Sequence, residues 1–108
     1  MHDRVLTGVL IVTADNVGPM SCEEFDRWYD EVHVPDILES GCYYAATRYE
    51  AAGTGEGQYL AIYETDWPDP MRAFEQFAAR LGHMRKYDGL VVRHMAPYLA
   101  IGGAHRAT

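Results

Sequence analysis

A tyrosine and a histidine four residues apart, Tyr29 and His33, are the side chains best suited to acid–base chemistry in this sequence. On a helix, residues at this spacing are neighbours on one face. An imidazole titrates near neutrality and, when well placed, accelerates proton transfer by about 10²–10⁴-fold. We therefore predict His33 as the acid or base and Tyr29 as the residue that orients it. The alternative is that His33 closes its helix by bonding a backbone carbonyl.

Neighbours of His33 would shift its pKa in opposite directions. Shielding by Trp28 and Tyr29 favours the neutral imidazole, whereas the carboxylate of Asp36 favours the charged form. The sequence leaves the direction of this pKa shift open.

Two further histidines could line a pocket. His94 follows Arg93 in a predicted strand, where adjacent side chains point to opposite faces, so only one of the two can face a pocket. We take His94 as a second catalytic candidate. His83 follows Gly82 at the end of a predicted helix, where it either closes that helix or contacts a ligand.

Aromatic residues are abundant enough to build a ligand cavity, with eight tyrosines, two tryptophans and three phenylalanines among 108 residues. Tyrosine joins an apolar ring to a polar tip, which suits an aromatic or polyketide-like ligand, although cross-strand packing and dimer contacts are the alternative. Arg48 could bind a carboxylate or phenolate, or could pair with Glu50 or Glu64 at a rim. The predicted ligand-binding residues are Trp28, Tyr44, Arg48, Tyr63, Phe77 and His83.

The composition favours a small-molecule substrate. The formal net charge is −7 and Lys86 is the single lysine, so we expect neither nucleic-acid nor membrane binding. The glycine-rich stretch 53–57 opens no helix, and no nucleotide-binding motif, nucleophile elbow or zinc-binding spacing occurs. We therefore expect chemistry without cofactor or metal.

We also expect no targeting or membrane-spanning segment in this sequence. Its longest apolar run, residues 9–12, is far shorter than the roughly 20 residues that span a bilayer. We predict a cytoplasmic protein, in which Cys22 and Cys42 are buried thiols rather than a disulfide.

The elements that must position these residues can be predicted from the pattern. Strands are predicted over residues 4–14, 42–51, 58–66 and 89–101, with Pro97 indicating an edge or a bulge. Ser21 and Glu24 form a capping box that begins a helix, which Pro35 disrupts, leaving a short turn at Ile37 and Leu38. The second helix begins at Asp69 and Pro70. Its predicted buried stripe is Met71, Phe74, Phe77, Ala78 and Leu81.

The order βαββαβ predicts a single α+β domain over residues 1–108, with a ferredoxin-like, four-stranded antiparallel sheet. Two helices can cover only one face of such a sheet. In the third strand, Tyr59, Ala61 and Tyr63 alternate with Leu60 and Ile62, so both faces carry apolar side chains. We therefore predict a homodimer in which the uncovered faces pack together.

Four residues of the first helix carry a resemblance to a known family. Phe25, Tyr29, His33 and Pro35 form the pattern F-x3-Y-x3-H-x-P, which resembles the first-helix signature of the dimeric α/β-barrel superfamily, particularly its EthD-type branch. Together with the βαββαβ order, the resemblance covers essentially the whole chain. It implies pairing into a dimeric α/β barrel. That superfamily includes antibiotic-biosynthesis monooxygenases that need no cofactor, muconolactone-type isomerases and polyketide cyclases.

Three functional hypotheses remain open. The first is a cofactor-free isomerase, cyclase, dehydratase or other lyase that acts on a small apolar aromatic, polyketide-like or lactone substrate. The second is a cofactor-independent monooxygenase that oxidises an electron-rich phenol. The third is a ligand-binding accessory protein without catalysis.

Overall fold

The computed structural model describes residues 5–107 and shows the predicted α+β fold with the order βαββαβ. The strands are β1 (Gly8–Asn16), β2 (Ala45–Glu50), β3 (Tyr59–Thr65) and β4 (Leu90–Leu99). The helices are α1 (Cys22–Trp28), α2 (Val34–Glu39) and α3 (Pro70–Arg80). A π-helical turn (Tyr29–His33) joins α1 to α2, and a 3₁₀ turn (Leu81–His83) follows α3. The strands form an antiparallel sheet in the order β2-β3-β1-β4.

Both predicted helix starts are confirmed. The Ser21 hydroxyl accepts a hydrogen bond from the Glu24 N–H, and the Glu24 carboxylate accepts one from the Ser21 N–H, which completes the capping box. At the start of α3, the Asp69 carboxylate accepts from the Met71 N–H at 3.0 Å, and Pro70 occupies the first helical position.

Pro35 does not end the first helical segment, contrary to the sequence prediction. Proline has no N–H to donate, and the chain absorbs this by widening the preceding turn. The Val34 N–H bonds the Tyr29 carbonyl five residues earlier, and the chain then continues as α2 through Ile37 and Leu38. The wider turn also shifts the helical phase, and Val34 packs against the core.

The boundaries of the strands differ from the prediction by a few residues. Asp15 and Asn16, predicted as a turn, extend β1 because they pair with Val91 and Leu90 of β4. Residues 42–44 precede β2 rather than belonging to it, and Arg4 lies outside the described residues. Pro97 lies on an edge strand as predicted, but the bulge falls between Thr13 and Ala14. The predicted first residue of β4, Gly89, and its last two, Ala100 and Ile101, lie outside that strand.

The core lies between the helices and one face of the sheet. Leu10 and Val12 of β1 and Tyr63 of β3 point towards the helices and are buried. Phe77 of α3 is buried as predicted, and Phe74 and Leu81 are partly buried. Met71 and Ala78 are exposed, and Ala73 is buried in their place. Of the two cysteines, Cys42 is a buried free thiol, whereas Cys22 is exposed, contrary to the prediction.

The other side of the sheet carries no helix and is called the open face. It is apolar at its centre, where Ile11 of β1 pairs with Ile62 of β3 and with Ala96 of β4. The open face includes Val9, Ile11, Thr13, Ala45, Thr47, Tyr49, Leu60, Ile62, Glu64, His94, Ala96 and Tyr98.

Candidate functional site

The helices and the sheet enclose a cavity of about 440 Å³. This volume lies within the range of about 300–1,000 Å³ that is usual for small-molecule pockets. Tyr29, Ile37, Tyr63 and Phe77 form buried walls of the cavity, and residues 84–88 line its more exposed side. The buried walls are therefore mostly apolar, and the charged lining residues all lie in the segment 84–88.

His33 lines this cavity at the end of the π-helical turn. Its ring stacks on Trp28, with 5.0 Å between centroids, and meets Tyr29 edge-on at 4.7 Å. The Nδ1 atom is buried and has no hydrogen-bond partner among residues 5–107. The alternative prediction, a histidine that closes the helix by bonding a carbonyl, is therefore wrong at this atom.

Burial decides the direction of the His33 pKa shift, which the sequence left open. It lowers the pKa of the imidazole to about 4, because a charged ring would lose its hydration there. The carboxylate of Asp36 raises the pKa and the guanidinium of Arg48 lowers it, both by less than burial does. His33 is thus neutral at physiological pH and can accept a proton.

Two tyrosine hydroxyls, those of Tyr29 and Tyr63, lie together in the wall of the same cavity. Their Oη atoms are 3.3 Å apart, so one donates a hydrogen bond to the other. The proton of the accepting hydroxyl is left for a ligand. Burial raises the pKa of both phenols, which keeps them protonated and makes them donors rather than bases.

Arg48 does not line the cavity, contrary to its predicted role in binding the ligand. Its guanidinium lies behind Tyr29, with Cζ 4.3 Å from the ring centroid, and donates to Asp26 and Asp30 of the first helical segment, each at 2.9 Å. The predicted partners were Glu50 and Glu64, but the helix carries the carboxylates within reach. Arg48 therefore fixes the outer side of the Tyr29 ring.

Three other predicted residues are not brought to this cavity. His94 lies on the open face, where its Nε2 is 3.2 Å from the Tyr98 hydroxyl. His83 is exposed and lines a separate, shallow depression between α2 and the end of α3. Tyr44 precedes β2, where its N–H donates to the Glu64 carbonyl. Neither residue of the Arg93–His94 pair faces the cavity, since Arg93 bonds Asp15.

The segment 84–88 is the part of the site that sequence reasoning missed. Asp36 accepts three hydrogen bonds from Arg85, from its backbone N–H and its guanidinium. The Tyr87 hydroxyl donates to the Asn16 side chain and accepts from the Met20 N–H, which ties the segment to the end of β1. Its basic and aromatic residues were visible, but these long-range partners cannot be inferred from helix or strand periodicity.

Residues 5–107 contain neither a cluster of potential metal ligands nor a membrane-spanning helix. No cluster of three or more His, Cys, Asp or Glu side chains arranged for a metal ion occurs in this part of the chain. No helix within it is long and apolar enough to cross a membrane.

The site thus unites five of the predicted residues: Trp28, Tyr29, His33, Tyr63 and Phe77. No protein-family profile matches the chain, and no curated protein matches its sequence significantly. Solved structures do resemble it. A proposed monooxygenase from Shewanella loihica PV-4 has a TM-score of 0.58 at 18% identity, over 91% of this chain and 97% of the other.

HapK from Hahella chejuensis has a TM-score of 0.62 at 12% identity, over 94% of this chain and 99% of its own. An EthD-family protein from Bacillus halodurans C-125 has a TM-score of 0.41 at 11% identity, over 85% and 97%. At these identities the similarity shows the fold alone. The resemblance read from the first helix is confirmed at that level: the chain has the ferredoxin-like α+β fold of these small proteins.

Proposed function

We propose that the cavity binds a small, largely apolar ligand and that His33 acts on it as a general base, in lyase or isomerase chemistry that needs no cofactor. The observation that carries this proposal is the Nδ1 atom of His33, which is buried without a partner among the described residues, in a ring that lines the cavity. Buried polar side-chain atoms almost always have a hydrogen-bond partner. A ligand group that displaces the atoms now covering Nδ1 would supply the missing one.

The lining of the cavity defines the class of ligand. Ile37, Phe77 and Met95 offer apolar contacts, while His33 and the Tyr29–Tyr63 hydroxyl pair offer hydrogen bonds. An aromatic, polyketide-like or lactone molecule with a carbonyl or phenol group fits this distribution.

In the proposed reaction, neutral His33 removes a proton from a carbon next to the ligand's carbonyl group. The electron pair of the broken C–H bond then forms an enolate. The free hydroxyl proton of the tyrosine pair donates a hydrogen bond to the enolate oxygen. The imidazolium returns its proton either to another carbon, which completes an isomerisation, or to a leaving hydroxyl group, which departs as water.

The low pKa of His33 favours the second half of this reaction, in which the imidazolium returns its proton. An imidazolium whose pKa is held to about 4 is a stronger acid than an ordinary one, so it readily gives its proton back. A base that must return the proton within the same turnover suits isomerisation and dehydration.

Oxidation of an electron-rich phenol is the second candidate. The similar structure from Shewanella loihica is described as a proposed monooxygenase, although the similarity itself shows only the fold. Here His33 would remove the phenol proton, and the electron-rich phenolate would reduce molecular oxygen. Consumption of oxygen in step with substrate separates this reaction from the first.

The test compares two histidine variants of the intact protein. A panel of phenols, lactones and β-ketones is incubated with the wild type, and products and oxygen are measured. His33→Gln keeps a polar side chain but cannot carry the proton, so we expect turnover to fall by about 10²-fold or more. The matched control His94→Gln should retain activity within about threefold. A folded, fully active His33→Gln protein would exclude His33 as the base, and tight binding without any product would favour an accessory role.

A further inference from the structure

Two buried side-chain polar atoms lack a hydrogen-bond partner among residues 5–107: His33 Nδ1 and the hydroxyl oxygen of Tyr43. The first belongs to the cavity wall and is explained by the proposed function. The second lies outside the cavity, because Tyr43 is not among its lining residues. A buried hydroxyl without a partner costs stability, so its retention calls for an explanation.

Tyr43 packs directly behind two walls of the cavity. Its ring meets Phe77 edge-on, with 5.6 Å between centroids, and lies 6.0 Å from the ring of Tyr63. Phe77 and Tyr63 are fully buried and line the cavity, and Tyr43 itself is only 3% exposed. The Tyr43 ring therefore contacts two of the rings that line the cavity.

These two rings differ in what holds them. The Tyr63 hydroxyl is hydrogen-bonded to that of Tyr29. Phe77 has no polar group, and its aromatic contacts are with Tyr43 and Phe74. Replacing Phe77 thus removes one of these rings without breaking a hydrogen bond.

We propose that the Phe77 ring separates the cavity from the Tyr43 hydroxyl, and that Phe77 is thereby the specificity-determining residue of the cavity, which excludes ligands with a polar group at their inner end. The native ligand then carries its hydroxyl or carbonyl groups on the side of His33 and the 84–88 segment, and its apolar edge meets Phe77. This inference rests on the proposed ligand-binding role of the cavity but not on the chemistry of His33.

The experiment uses two rigid probes, 2-naphthol and 2,6-dihydroxynaphthalene, whose affinities are measured by calorimetry. In the wild type we expect the diol to bind at least about 10-fold more weakly, because its second hydroxyl is buried against Phe77 without a partner. In Phe77→Ala the order should reverse, since the diol can then bond Tyr43. The double variant Phe77→Ala/Tyr43→Phe should lose that reversal.

Equal ratios of the two probe affinities in the wild type and in Phe77→Ala would overturn the proposal. So would a reversal that persists in the double variant, or a failure of both probes to bind Phe77→Ala. Phe77→Leu replaces Phe77→Ala if the larger deletion prevents folding. A measurement without ligand adds a second check: Tyr43→Phe alone should not lower the melting temperature, because its hydroxyl has no partner to lose. A clear fall would show that the hydroxyl is already bonded and would overturn the proposal.

The result is independent of the catalytic test. If His33→Gln keeps full turnover while the probe preference reverses as expected, the proposed chemistry fails and the role of Phe77 stands. If His33→Gln is inactive while the probe ratios stay constant, the role of Phe77 fails and the chemistry stands.

Discussion

Two histidine–tyrosine pairs with the same spacing lie on opposite faces of the sheet. Tyr29 and His33 are four residues apart on the first helical segment, and His94 and Tyr98 are four residues apart on β4. Both pairs are in contact: the first through its rings at 4.7 Å, the second through a hydrogen-bonding distance of 3.2 Å. Residue type and spacing therefore do not distinguish them.

Their surroundings do distinguish them. His33 stacks on Trp28 inside the helix-covered layer, and its Nδ1 has no partner in the described chain. His94 is exposed, and its ring has a hydrogen-bond partner in Tyr98, which is 48% exposed. An imidazole becomes a useful base when it is shielded, neutral and without a competing partner, and only the first pair meets these conditions.

The largest expected effect concerns a dimer interface that would cover the His94–Tyr98 pair and so break this comparison. We propose that the protein is a homodimer whose open faces pack together, since Ile11, Ile62 and Ala96 form an apolar centre there. Ile62→Glu would bury an unpaired charge in both copies. We expect the dimer dissociation constant to rise by about 10³-fold or more, measured by sedimentation equilibrium.

The matched control places the same charge elsewhere. Val17→Glu alters an exposed loop residue that is 60% accessible and lies off the open face, so the dimer should persist. A wild-type protein that sediments as a monomer at micromolar concentration would contradict the proposal.

The next effect would sharpen the comparison of the two histidines by following the protonation of His33 at acidic pH. Because burial lowers its pKa to about 4, the ring should stay neutral at pH 5.5, where an ordinary histidine is mostly protonated. The unfolded chain then binds more protons than the folded one between pH 6.5 and 4, so this group makes stability fall as the pH is lowered through that window.

Long-range ¹H–¹⁵N spectra would give the pKa directly, with the signal of His33 assigned from its loss in His33→Gln. Relative to that variant, the wild type should lose about 3 kcal/mol of unfolding free energy on acidification across this window. Titration of His33 near pH 6.5 would contradict its burial as a neutral base.

The smallest expected effect comes from replacing Arg48, with Arg93 as its counterpart. Arg48 packs against the ring of Tyr29 and forms ion pairs with Asp26 and Asp30, while Arg93 forms an ion pair with Asp15 near the end of β1. We expect Arg48→Met to lower the free energy of unfolding by about 1–2 kcal/mol and to raise the pKa of His33, because the guanidinium normally lowers that pKa.

Arg93→Met is the matched control, since it also removes a short arginine–aspartate pair. It should leave the pKa of His33 unchanged in the same spectra. An equal shift of that pKa in both variants would show that net charge, rather than the nearby guanidinium of Arg48, is responsible.

Much of the fold could be predicted because its signals are local. Ser21 with Glu24, and Asp69 with Pro70, place both helix starts through hydrogen bonds that span only a few residues. Alternation in β3 places Tyr59, Ala61 and Tyr63 on one face, as predicted. The continuation past Pro35 could not be predicted, because proline usually ends a helix and the π-helical turn that lets this chain continue is rare.

The sequence by itself determined that Tyr29 and His33 share a face, since their spacing matches a helical turn, and it indicated Trp28, Tyr63 and Phe77 as ligand-binding residues. Only the tertiary structure decided that Arg48 meets Asp26 and Asp30, that residues 84–88 complete the cavity and that His94 lies on the other side of the sheet. The physical reason is range. Periodicity follows from backbone geometry within a few residues, whereas burial, pKa and ion pairing depend on which distant segments the folded chain brings together.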